Sequence, residues 1–180
     1  MRSEVVCATR GKDAGAPHVV SGTGCLAIDR LSGQRDSGAV DINQVIEQYH
    51  LACDAFATGD PEPIKVICTR SDDSLLANPF GGFSRGWDEV SRALDFASSN
   101  FRDGLPIRFE EVTRYAGADL VVLFEREKWE TRVGGRDELS PWELRVTTTF
   151  RAGTDGWRWL SRHADPLMTP HPDGPIRPSR

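Results

Sequence analysis

Between Ile107 and Asp165 the chain repeats one pattern four times: a stretch in which apolar and polar residues alternate, followed by a tight turn. The stretches run from about Ile107 to Tyr115, Leu120 to Val133, Leu139 to Arg151 and Gly156 to Asp165. Their turns are Ala116-Gly117-Ala118-Asp119, Gly134-Gly135-Arg136-Asp137 and Gly153-Thr154-Asp155-Gly156. Alternation is the period of a strand with one buried face, and short turns of this composition join antiparallel neighbours. The pattern predicts a four-stranded antiparallel meander, which must bury its apolar face against other elements.

Those elements precede it. After Asp41, a candidate N-cap, Ile42, Val45, Ile46, Tyr49, Cys53 and Phe56 recur at helical spacing until Gly59, predicting a helix from about Ile42 to Thr58. Asp60 can cap a short second helix starting at Pro61 and packing Ile64 and Ile67. A short strand from Ser74 to Ala77 follows, then the loop NPFGGFSRG over 78 to 86. A third helix carries the stripe Trp87, Val90, Leu94, Ala97 and Phe101 and is closed by Gly104. Helices first and strands afterwards make an α+β domain in which a bent sheet wraps the helices.

A chain of 180 residues, 38% apolar, suits one such domain with some surplus. The surplus is expected at the ends. Residues 1 to 40 are rich in Gly, Ser, Ala, Asp and Arg without periodicity and read as a flexible extension, or as an over-extended translation start. Residues 169 to 180 are proline-rich and read as a loose tail, leaving 41 to 168 as the domain. The net charge of −5 comes from interspersed residues, so no basic footprint for nucleic acid or membrane is visible. Only Lys12, Lys65 and Lys128 are lysines, an arginine excess that suits a high-GC bacterial genome. Cys7, Cys25, Cys53 and Cys68 have neither disulfide-framework nor zinc-ligand spacing, and no apolar run fits a signal peptide or membrane span. A cytoplasmic protein without a metal is the expectation.

On the last strand, GWRWLSRHADPL, alternation places Trp157, Trp159, Ser161, His163 and Asp165 on one face and Arg158, Leu160, Arg162 and Ala164 on the other. Tryptophans beside an imidazole and a carboxylate suit a pocket wall. His163 and Asp165 stand about 6.5 Å apart along the strand, so the carboxylate can orient the imidazole as an acid or base near neutrality. On the strand before it, Trp142, Leu144, Val146, Thr148 and Phe150 should face inward, with Trp142 and Thr148 lining a cavity. Tyr49 and Cys53, one helical turn apart, face the sheet; the phenol can reach a cavity, whereas Cys53 is expected mainly to pack. Phe80, Phe83 and Trp87 can form a lid or simply staple the loop onto the third helix. Glu125, Arg126, Glu127 and Lys128 read as a solvated or dimer-facing surface.

Three phrases in order, VIEQYHLACDAFATGD, DDSLLANPFGGFSRGWDEV and GWRWLSRHADPL, resemble the ketosteroid-isomerase-like, or nuclear transport factor 2-like, superfamily, and within it the SnoaL-like proteins. The resemblance covers Asp41 to Leu167. It implies a cone of three N-terminal helices and a strongly curved antiparallel sheet with a mixed edge, a deep apolar cavity and a homodimer formed through the sheet. Tyr49 stands where the isomerases carry a tyrosine that donates to the substrate oxygen. Asn78 replaces their proton-shuttling aspartate, and Thr148 falls near the protonated aspartate of their oxyanion hole. An amide cannot serve as a base, so the isomerase reaction itself is not expected. Of the SnoaL-like phrase HRHAD this chain keeps His163 and Asp165, while Ser161 departs.

The resulting expectation is a pocket for a small apolar or aromatic organic molecule. It would carry out cofactor-independent isomerase, cyclase, hydratase or lyase chemistry, with His163 as proton carrier, Asp165 as its orienter, and Tyr49 and Asn78 as polarising donors. The alternative is a non-catalytic binding or assembly module with the same cavity, since one architecture hosts both. In either case Asn78, Phe80, Phe83, Trp87, Trp142, Thr148, Trp159, Ser161 and Cys53 are the expected pocket-lining residues.

Overall fold

A computed structural model describes residues 41 to 168. The expectations for residues 1 to 40 and 169 to 180 lie outside the described residues. Helix α1 spans Ile42–Ala57 and buries the stripe Val45, Ile46, Tyr49, Ala52, Cys53, Phe56 and Ala57. Asp41 sits at its N-cap, but its carboxylate accepts the side-chain amide of Asn43 (3.0 Å) instead of a backbone N–H. Gly59 ends the helix at φ 102°, a conformation that favours glycine, where a Cβ would also lie 2.8 Å from the Phe101 carbonyl oxygen. Helix α2, Glu62–Ile67, starts one residue beyond Pro61, and the Asp60 carboxylate accepts the Glu62 N–H at 3.0 Å.

Strands β1 (Leu75–Ala77) and β2 (Phe83–Arg85) form a small hairpin, so the loop expected over 78 to 86 contains a strand. Helix α3 runs Trp87–Ser98. It stops short of Phe101 because Asn100 turns its amide back onto the Phe96 carbonyl (2.7 Å), and Phe101–Arg102 form the two-residue strand β3. Gly104 is accordingly no helix stop. It is a point of close approach, where a Cβ would lie 2.5 Å from the Ala57 carbonyl oxygen. The meander follows as β4 (Arg108–Ala116), β5 (Leu120–Val133), β6 (Ser140–Gly153) and β7 (Gly156–Pro166).

The sheet order is β2-β1-β7-β6-β5-β3, with β4 also paired to β5. All pairings are antiparallel except β1 with β7, which gives the mixed edge. Its concave face closes over α1, α2 and α3 in an α+β cone, with Tyr49, Phe150, Leu123, Val146 and Trp159 at the centre of the buried core.

Two bulges bend the sheet. One lies between Glu111 and Thr113 on β4. The other is on β7: Thr149 faces Ser161 while Phe150 faces Trp159, so Leu160 is the extra residue. A bulge breaks the two-residue period and sharpens the local twist. Trp159 therefore points inward as alternation predicts, but beyond Leu160 the faces exchange. Arg162 and Ala164 are buried, whereas His163 is exposed and Ser161 and Asp165 lie on its face.

Candidate functional site

The cone holds a cavity of about 60 Å³ that opens to solvent. Its walls are mainly apolar: Phe56 from α1, Ile64 from α2, Leu94 and Ala97 from α3, and Leu144 and Trp129 from the sheet. Of the expected residues, Cys53, Asn78, Phe80, Trp142 and Trp159 line it. Phe80, although exposed, lies 5.4 Å from Trp142 between ring centroids, and Trp142 in turn lies 5.5 Å from Phe101 and 6.0 Å from Trp129. Asn78 fixes this loop by accepting the Phe80 backbone N–H on its side-chain oxygen (3.1 Å). Phe83 and Trp87 are not part of the lining; Phe83 is exposed on β2, and Trp87 carries the Arg70 guanidinium over its ring at 5.0 Å.

The expected proton-transfer pair lies elsewhere. His163 has a side chain 61% exposed, with Nε2 3.4 Å from an Asp165 carboxylate oxygen that Arg145 also approaches at 3.6 Å. The β7 bulge puts both residues, with Ser161, on the face away from the cavity, which corrects the inward placement drawn from simple alternation.

Arg162 takes that inward position. Its Nη1 donates to Glu127 Oε1 (2.6 Å) and to the Tyr49 hydroxyl, and its Nη2 donates to Glu127 Oε2 (2.8 Å). Glu127 Oε2 also accepts the Trp129 indole N–H (2.7 Å), and Thr148 donates to the Tyr49 hydroxyl (3.1 Å). Tyr49, which accepts from Arg162, and Thr148, which donates to Tyr49, are thus fully buried and do not themselves line the cavity. A two-pronged pair of this kind is the strongest form of Arg–carboxylate contact.

Burial alone would favour a neutral guanidine, but the Glu127 carboxylate outweighs it and holds the Arg162 pKa well above its ordinary value. Burial also pushes the Tyr49 phenol and the Cys53 thiol far up, so both stay protonated. On the wall the Cys53 thiol and the Arg162 guanidinium therefore keep their protons, while the indole nitrogens of Trp142 and Trp159 are sealed from solvent and have no partner among the described residues.

A second polar cluster lies on the same inner face of β5. Glu125 is buried and pairs with His50 Nε2 at 2.8 Å, and the imidazole stacks on Phe109 at 3.8 Å between centroids. Glu125 and Glu127 overturn the reading of this stretch as a solvated surface. The signal was present in the sequence: Val121, Leu123, Glu125, Glu127, Trp129 and Thr131 share one alternating face, all buried. Two carboxylates on such a face require hydrogen-bonding partners, which His50 and Arg162 supply.

No family model matches the chain, and no curated protein matches it. Solved structures do. A nuclear transport factor 2-like superfamily protein from Salmonella enterica serovar Typhimurium matches with TM-score 0.60 and 16% identity over 74% of this chain and 94% of its own. A ketosteroid isomerase-like protein from Erwinia carotovora atroseptica matches with TM-score 0.60 and 14% identity over 71% and 95%. A candidate scytalone dehydratase from Novosphingobium aromaticivorans matches with TM-score 0.58 and 14% identity over 76% and 87%. The chain has the nuclear transport factor 2-like fold.

Proposed function

We propose that the chain is a small-molecule pocket protein of the SnoaL-like type, whose cavity takes a small, mostly apolar organic molecule carrying a hydrogen-bond acceptor. The observation that carries this reading is the composition of the wall: apolar and aromatic side chains interrupted by the Arg162 guanidinium and the Asn78 side chain. Apolar bulk with a few convergent polar groups is what a ligand pocket consists of. Non-catalytic binding is the reading this geometry favours over acid–base catalysis, because Cys53 and Arg162 on the wall both keep their protons at neutral pH. Membership of the SnoaL-like group rests on the three sequence phrases. A homodimer through the outer face of the sheet is proposed on the same resemblance.

The test is thermal shift and native mass spectrometry against small ketones, phenols and lactones, using the full chain and an Ala97→Phe variant that fills the cavity. A ligand at a hundredfold excess over its Kd adds about 2.7 kcal/mol of stability, which appears as a raised Tm. We expect such shifts in the parent protein and their loss in a folded Ala97→Phe protein. If no compound shifts the parent, or if the filled variant responds equally, the cavity is not the binding site.

A further inference from the structure

We propose that Arg162 selects the ligand, its free edge presenting two parallel N–H donors to an uncharged carbonyl oxygen. The pocket then prefers ketones, amides or lactones to both hydrocarbons and carboxylates of the same size. The proposal rests on the cavity being a ligand pocket and names the class of molecule that it takes.

A guanidinium has five N–H groups in one plane. Glu127 occupies the end-on edge, taking one hydrogen from each Nη, and Tyr49 takes the second hydrogen of Nη1. Two remain: Nε–H and the outer hydrogen of Nη2, which lie side by side and point the same way. Nε has no hydrogen-bond partner among the described residues, and the Arg162 side chain keeps 10% of its surface exposed. Arg162 lines the cavity. Glu127 clamps the plane from one edge and Tyr49 from another, so both act as positioning residues for this fork. Thr148 steadies the tyrosine hydroxyl.

Such a fork fits either the two oxygens of a carboxylate or the two lone pairs of one carbonyl oxygen, and local charge decides between them. The Arg162 charge is already matched by Glu127. Two residues along the same inner face lies the buried Glu125 carboxylate, whose Oε2 has no partner among the described residues and whose Oε1 is held by His50. A ligand carboxylate would be a third anion beside two cations at most, and it would lose its hydration on entry. An uncharged carbonyl gains both donors without that cost.

Ethylbenzene, acetophenone and benzoate share a ring and differ in the group offered to Arg162. Titrating each into ¹⁵N-labelled full-length protein, with the tryptophan indole and Arg162 Nε–H signals as readouts, measures the three affinities separately. Acetophenone should bind at least about tenfold more tightly than either of the others, the size expected of charge-assisted hydrogen bonds. The Arg162 Nε–H resonance should move with acetophenone and not with ethylbenzene, a readout that needs no variant. Arg162→Lys keeps a cation on Glu127 but removes the fork, and should bring acetophenone to within about threefold of ethylbenzene. Should that protein fail to fold, the uncharged pair Glu127→Gln with Arg162→Met serves the same purpose. Equal or tighter binding of benzoate overturns the proposal, as does a preference for acetophenone that survives in a folded variant. Equal binding of ethylbenzene and acetophenone overturns it while leaving the pocket reading intact. Failure of all three to bind removes both.

Discussion

Arg162 and Glu127 form a salt bridge whose side chains are 10% and 0% exposed. An ion pair in such a place contributes little net stability over apolar side chains of equal size, but half of one is costly. Arg162→Met alone should therefore lower unfolding stability by about 3–5 kcal/mol, because it leaves the Glu127 carboxylate buried without its cation. Adding Glu127→Gln should recover most of that loss. Urea midpoints of the two proteins check this, and equal midpoints would mean that Glu127 is neutral or hydrated. Residue-level legibility was uneven. The inward direction of Glu125 and Glu127 follows from the alternation that identified Leu123 and Trp129, and only the habit of reading charge as surface hid it. Arg162 could not be found that way, because its direction is set by an irregularity of the backbone and not by the pattern of its neighbours.

At the scale of elements, the long strands of the meander were readable to within about two residues, since alternation and glycine turns bound them on both sides. Strands β2 and β3, of three and two residues, are too short to carry a period. The β7 bulge leaves no trace in composition. Deleting Leu160 would remove the bulge and restore unbroken pairing with β6, with Trp159 still opposite Phe150, Ser161 still opposite Thr149, and Arg162 and Ala164 still on the inner face. We expect the deletion protein to keep a cooperative melt in circular dichroism, as should Leu160→Ala; loss of cooperativity in the deletion protein alone would mean that the bend at the bulge is itself required. A second element contact is electrostatic. Arg151 of β6 holds Asp73, in the turn before β1, by two hydrogen bonds (2.6 and 3.2 Å), and these with the Ser71 hydroxyl lower the Asp73 pKa to about 2. Its folded pKa is below its unfolded value, so the stabilisation is complete above about pH 4 and is lost as pH falls through about 2. Because the Asp73 side chain is 53% exposed, the effect should stay under about 1 kcal/mol. Asp73→Asn should flatten that acid limb of the stability curve and leave the rest unchanged, as read by urea titrations from pH 5 to 2.

For the whole molecule, helices before strands and three phrases in order were enough to place the fold, because each names an element and the order allows few ways of packing them. The described caps, strands and core all lie within residues 41 to 168, so that fragment should melt within about 2 kcal/mol of the full chain, a difference smaller than a typical core truncation. Calorimetry of both proteins measures it, and a larger deficit would make the flanking segments structural. Multi-angle light scattering at micromolar concentration should give twice the chain mass, and a monomer would end the proposal of pairing through the sheet. The extra residue in β7 also bears on how proteins of this architecture could diverge. Beyond Leu160 the strand carries two alternating sets of residues, and the bulge decides which of them faces the cavity: one offers a guanidinium, the other an imidazole with its carboxylate. Moving the irregularity from Leu160 to beyond Asp165 with every residue kept, compensated by repacking, would exchange the first set for the second on the inner wall, with no substitution at any of these side chains.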